Sequence, residues 1–211
     1  MAVVVVGGHS RSVGKTSVVA GVIARLPEMR WTAMKITQYG HGFCTADGGP
    51  CDCQTDDHTL AVSEERNSDS GTDTARYLKA GAVRSVWVRT RQGMLAEAMP
   101  RIRKELDGAE NSIVESNSVM QFLRPDMYLT VLDAGTADFK DSARLFLDRA
   151  DAVLVRETEL EPRWIGVSAK LIEGKPRFVI GPGSPTGEWV TDAVVAFVLG
   201  KISASDAKMI R

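Results

Sequence analysis

The sequence predicts a three-layer α/β fold, a mostly parallel sheet with helices on both faces, and three observations carry that prediction. Short β-branched apolar runs alternate with stretches of helical periodicity along the chain on both sides of residues 37–71. The first run, four successive valines at 3–6, is apolar at every position, as in a strand covered on both faces. The composition, 44% hydrophobic and 25% charged over 211 residues, suits one complete domain core and excludes disordered, collagen-like and disulfide-scaffold chains.

Taken in order, the valine run stops at Gly7-Gly8, where strand gives way to turn. Val18, Val19, Val22, Ile23 and Leu26 then recur at helical spacing after Thr16, and Pro27 closes the helix. Residues 31–36 read as a second strand, which completes a βαβ unit. Between 37 and 71 the periodicity is lost and Gly, Asp, Thr, Ser and Cys dominate. A stretch of that length inside a compact domain reads as a functional insertion, a lid or a partner-binding element. A helix over 73–80, capped by Thr72 or Asp73 and stopped by Gly81, leads to a strand at 85–88. Helical segments around 95–106 and 142–147 alternate with strands at 112–114, 128–132 and 152–155. A last strand at 177–180 and a closing helix at 189–199 end a single domain over 1–200, with 201–211 as a flexible tail. The chain contains no internal repeat and no low-complexity tract.

The strongest local signal is Gly7-Gly8-His9-Ser10-Arg11-Ser12-Val13-Gly14-Lys15-Thr16-Ser17. A buried strand ends there, a Gly-rich turn presents backbone N–H groups, and a helix N-terminus adds the positive end of its dipole. Such a turn suits the phosphates of ATP or GTP, with Gly8, Ser10, Val13 and Gly14 in the cradle and Lys15 on the β- and γ-phosphates. The Thr16 hydroxyl is the expected Mg²⁺ ligand, and Ser17 the α-phosphate contact. The competing interpretation is a glycine-rich strand-to-helix turn that only packs. The spacing departs from G-x-x-x-x-G-K-[ST] by one residue, because His9 stands where the leading glycine is expected and Gly8 precedes it.

That longer loop resembles the G-x-x-x-x-x-G-K-[ST] form of dethiobiotin synthetase and the cobyrinic acid amidating synthetases, dimer-forming P-loop NTPases. Further on, Gly71-Thr72-Asp73-Thr74-Ala75-Arg76-Tyr77-Leu78-Lys79-Ala80-Gly81-Ala82 resembles a segment of the molybdopterin-guanine dinucleotide biosynthesis (MobB-type) adapter family. The two matches cover roughly the N-terminal half of the chain. Lys35 is followed by Ile36-Thr37-Gln38-Tyr39-Gly40-His41, where that adapter family carries a His-rich run. The resemblance implies Mg²⁺-dependent nucleotide hydrolysis or phosphoryl transfer, with Asp73 near the metal and Lys35 beside the transferred phosphate. It also implies a homodimer, because the resembling families place loops across a subunit interface.

Asp73 reads equally well as a helix N-cap. Glu115 ends the apolar run at 112–114 and resembles the Glu of a hydrophobic-run-then-Glu-Gly signature, with Ser116 in the glycine's place. A carboxylate at the C-terminal edge of a parallel strand lies where such sheets bind ligands. Asp133, at the end of the 128–132 run, is its rival and ranks second. Thr16, Asp73 and Glu115 are therefore the expected Mg²⁺ ligands. Lys35 interrupts an apolar strand, a costly placement unless it faces a cleft or an anion; the alternative is an edge-strand lysine reaching solvent. Lys15 and Lys35 are the expected catalytic cations.

All three cysteines, Cys44, Cys51 and Cys53, fall inside the insertion with His41 and His58. These ligand types suit Zn²⁺, although Cys44-x₆-Cys51-x-Cys53 is not the paired C-x₂-C pattern, and free thiols or a redox pair are the alternatives. The 26 basic residues nearly balance 27 acidic ones, giving a formal net charge of −1 and no global field to hold a nucleic acid. With no apolar run near the roughly 20 residues of a membrane span, the expectation is a cytoplasmic protein. Its partners are a nucleotide and either a small-molecule substrate or a partner enzyme. The function classes left open are a phosphoryl-transfer enzyme, a slow nucleotide-gated adapter, and a metal-binding regulator. The N-K-x-D guanine signature is absent: Arg156-Glu157-Thr158-Glu159 follows the 152–155 strand, and the base is undetermined.

Overall fold

The computed structural model describes residues 1–40, 60–156, 164–182 and 188–209. The candidate zinc ligands His41, Cys44, Cys51, Cys53 and His58 lie outside the described residues. The elements are β1 (Val3–Gly8), α1 (Lys15–Arg25), β2 (Trp31–Tyr39), β3 (Leu60–Glu64), α2 (Asp73–Lys79), β4 (Arg84–Arg91), α3 (Leu95–Asp107), β5 (Asn111–Glu115), β6 (Met127–Asp133), α4 (Asp141–Phe146), β7 (Ala152–Arg156), β8 (Arg177–Ile180) and α5 (Asp192–Met209). Among the described residues the strands form one sheet in the order β3-β4-β2-β5-β1-β6-β7-β8. Every neighbouring pair is parallel except β3 with β4. The predicted mostly parallel α/β class is what the chain adopts.

The four valines that open β1 suit a strand covered on both faces. Val4 and Val6 pack into one core cluster with Val18, Val19, Val22 and Ile23 of α1 and Val194, Val198 and Ile202 of α5. Val5 points the other way, into a cluster with Leu95, Met99 and Ile102 of α3. Each of these valines is fully buried, worth roughly 1.5–3 kcal/mol apiece relative to exposure, so the two-layer cover secures the strand from which the loop departs. A third cluster under α4 joins Leu132, Phe139, Ala143, Leu147, Val153 and Val155.

Three outcomes differ from the sequence expectation. β2 continues to Tyr39, because β4 supplies paired positions through Tyr39↔Arg91 even where side chains turn polar. Residues 60–64, expected as part of an irregular insertion, form the antiparallel edge strand β3, paired from Leu60↔Thr90 to Glu64↔Val86. Its side chains are half-buried or exposed, which is why no alternation marks it. α5 runs through Gly200 to Met209, so the expected flexible tail from 201 is largely helical. Buried Ile202 anchors the turn beyond Gly200 and offsets the roughly 1 kcal/mol helix penalty of glycine.

Candidate functional site

The loop after β1 is built from backbone strain and close approach. Gly14 has φ +106°, a left-handed conformation that only glycine adopts readily, and Ser12 has φ 56°. A Cβ on Gly8 would sit 2.8 Å from the Val13 side chain. From below, the Asn117 amide holds the loop base in both directions: its oxygen accepts from the Gly8 N–H and its nitrogen donates to the Gly8 carbonyl, each at 2.8 Å. The loop's flank is tied to the segment after β6. The Ser10 hydroxyl donates to Asp138 at 2.6 Å, and the Lys140 N–H donates to the His9 carbonyl at 2.8 Å. His9 is fully buried, with its ring packed against Phe139 and Trp164, and burial pulls its pKa down.

Lys15, first residue of α1, folds back over the loop and donates to the Ser10 carbonyl at 2.6 Å. Burial pulls its pKa down to about 8, against an opposing pull from Glu115. A half-buried ammonium held by one neutral carbonyl is poorly compensated, and an anion in the loop would supply what it lacks.

The second half of the site is set by sheet register. Lys35 of β2 pairs with Glu115 of β5, which pairs with Val6 of β1, so the three share the face covered by α1 and α2. Those helices bring the remaining groups. The Thr16 hydroxyl of α1 donates to Glu115 Oε2 at 2.8 Å, and Tyr77 of α2 donates its buried phenol proton to the same oxygen. Lys35 Nζ pairs with Asp73 and lies 3.5 Å from Glu115 Oε1. Burial alone would lower the Lys35 pKa, but Glu115 and Asp73 outweigh it and the net shift is upward. The Tyr77 phenol, buried and beside the Glu115 carboxylate, stays well above its ordinary value.

Thr72 caps α2 by accepting from the Ala75 N–H, so the Asp73 carboxylate is released from the capping role and faces Lys35. Asp133, the lower-ranked rival of Glu115, is occupied elsewhere: it pairs with Arg156 at 2.7 Å and accepts from the Gly135 N–H. Lys15, Thr16, Lys35, Asp73 and Glu115 all border one cleft of about 1180 Å³. Five basic side chains, Arg11, Lys15, Lys35, Arg76 and Lys140, line it against three carboxylates, Asp73, Glu115 and Asp141. The near-zero net charge of the chain therefore conceals a locally cationic cleft.

Among the described residues no group of three or more His, Cys, Asp and Glu side chains could hold a metal. The donors at the loop are one hydroxyl and two carboxylates, a hard-oxygen set that suits Mg²⁺ with waters and phosphate oxygens completing its sphere. Sequence reasoning did not find Tyr77, Asn117, Lys140 or Trp189. Tyr77 lies four residues after Asp73 on a helix, a spacing that puts both on one face and could have exposed it. Asn117, Lys140 and Trp189 carry no local signal, since each reaches the loop through tertiary contact.

A strand-ending glycine-rich loop on an open, mostly parallel sheet, with Lys and Thr opening the first helix and an acidic residue ending the adjacent strand, is an α/β arrangement suited to holding phosphate. No protein-family model matches the sequence, and no curated protein matches it. Among solved structures the chain is similar to the crystal structure of HypB from Helicobacter pylori in complex with nickel. That similarity has 14% identity, a TM-score of 0.49, and coverage of 96% of this chain and 87% of that one. No described helix is long and apolar enough to cross a membrane.

Proposed function

We propose that the protein binds ATP or GTP with Mg²⁺ and hydrolyses it or transfers its γ-phosphoryl group. The observation that carries this reading is the meeting of Thr16, Lys35, Asp73 and Glu115 beside Lys15 at the mouth of the loop. The loop N–H groups of residues 8–17 hold the phosphates, and Ser17 takes the α-phosphate end. Lys15 leaves the Ser10 carbonyl for the β- and γ-phosphates. Lys35 exchanges Asp73 and Glu115 for the γ-phosphate, where it stabilises charge as transfer proceeds. Asp73 and Glu115 are thereby released from Lys35 and, with Thr16, would hold Mg²⁺, which would supply neutralisation of phosphate charge.

Calorimetric titration of Mg·ATP and Mg·GTP into the wild-type chain tests the reading and identifies the base. Lys15→Ala should weaken binding at least about 30-fold, as expected when one partner of a buried charge contact is removed. Lys35→Ala should cut turnover about 100- to 1000-fold while leaving affinity within a few-fold. Equal losses in turnover and affinity would assign Lys35 to binding alone.

The MobB-type resemblance supports a second reading, a slow NTPase that gates a partner enzyme, and one observation favours it. Tyr39, near the end of the described part of β2, borders the cleft, so the described chain runs along the proposed nucleotide site up to the point where the Cys-bearing sequence begins. Slow intrinsic hydrolysis accelerated by a protein selects the adapter; fast turnover with a metabolite selects the dethiobiotin-synthetase-like enzyme. A zinc site at Cys44, Cys51, Cys53, His41 and His58, a homodimer, and a single domain over 1–200 belong to the same proposal.

A further inference from the structure

Lys35 and Glu115 stand on β2 and β5, on one side of β1. With the terminal phosphate at Lys35, as the proposed function holds, the rest of a nucleotide leaves the loop on the other side, over β6, β7 and β8. Among the described residues, Trp189 is an aromatic side chain bordering the cleft at that end. Its six-membered ring lies so close to the loop that a Cβ on Gly14 would fall 1.8 Å from it. It also sits over Gly181 at the end of β8, where a Cβ would be 3.5 Å away. The Arg156 guanidinium, at the end of β7, is 5.7 Å from the ring centroid and is itself held by Asp133 at 2.7 Å. Trp189 is half-buried and borders the same cleft as Arg11, Ser12 and Gly14. A large indole kept partly open to a cationic cleft, and braced by a glycine, a guanidinium and the loop itself, is a rigid aromatic surface beside a polyanion site.

We infer that Trp189 is the platform on which the base of a bound nucleotide stacks, and that it selects a purine, whose two rings match the indole. The inference rests on the phosphate-loop reading. It supplies a base contact without hydrogen-bond readout, in a chain that lacks the N-K-x-D signature. Stacking of this kind reads the π-face of a base, so ATP and GTP are both accepted.

The test compares Mg·ATP, Mg·GTP, Mg·UTP and Mg·tripolyphosphate by calorimetry in the wild type, Trp189→Phe and Trp189→Leu. Leucine fills much of the apolar volume and has no π-face. Trp189→Leu should weaken ATP and GTP about 10- to 100-fold, Trp189→Phe should keep most of their affinity, and tripolyphosphate should bind all three proteins alike. A leucine variant that loses tripolyphosphate as much as ATP makes Trp189 a packing residue of the loop and overturns the inference, as does unchanged ATP affinity. UTP binding as tight as ATP binding overturns the purine assignment. Wild-type protein that binds neither tripolyphosphate nor nucleotide overturns the phosphate-loop reading itself.

Discussion

Lys15 is the residue whose chemistry most directly reports the anion. Burial pulls its pKa down to about 8 in the free protein, so its charged fraction falls as pH rises through that region. A bound phosphate favours the charged form and raises that pKa. Nucleotide binding should therefore take up protons as pH rises through 8, and affinity should fall over the same range. Calorimetry at pH 8.5 in buffers of different ionisation enthalpy checks this, and an uptake no larger at pH 8.5 than at pH 6.5 would contradict it. Tyr77 supports a neighbour: its phenol and the Thr16 hydroxyl share Glu115 Oε2. Tyr77→Phe should raise the Mg²⁺ concentration for half-maximal turnover several-fold and cost about 1–3 kcal/mol of stability. Loss of stability with an unchanged Mg²⁺ dependence would reduce Tyr77 to a core residue.

The segment from β1 through the loop to α1 is decided at a larger scale, by backbone conformation. Gly14→Ala would force a side chain into φ +106° and against Trp189, so the loop and the approach to α5 must both shift. The expected outcome is a lower unfolding midpoint and lost nucleotide binding, read by thermal melting with and without Mg·ATP; a variant still stabilised by nucleotide to the wild-type extent would refute it. This segment was legible in advance because its signals are local: a both-faces-buried valine run, a glycine turn, then helical spacing. β3 was not legible, since a half-exposed edge strand of five residues needs no alternation, and its pairing with β4 joins residues far apart in sequence. The end of α5 was missed for a related reason: Gly200 looks like a stop signal until the burial of Ile202 is known.

Across the molecule, the sheet order puts the groups proposed to act on the terminal phosphate on one side of β1 and Trp189 on the other, so the loop between them spans a cleft with distinct ends. The described chain stops at the end of β2 and resumes in β3 on the sheet edge, both on the Lys35 side of β1. Elemental analysis of untagged, reduced protein should find about one zinc per chain if Cys44, Cys51, Cys53 and a histidine form a tetrahedral site; metal-free protein would leave these residues as thiols. Sedimentation at micromolar concentration, with and without Mg-nucleotide, should show a dimer.

Read alone, the amino-acid order established the α/β class, the phosphate-type loop and the candidates Lys35, Asp73 and Glu115. Periodicity and glycine placement are local properties, written within a few turns or strand residues. It could not establish that Thr16 and Glu115, 99 residues apart, share a hydrogen bond, or that Tyr77 joins them. Nor could it show Asn117 clamping Gly8 or Trp189 lying on Gly14. Those contacts depend on strand order and on which helix covers which face, and both follow from burying the whole core at once.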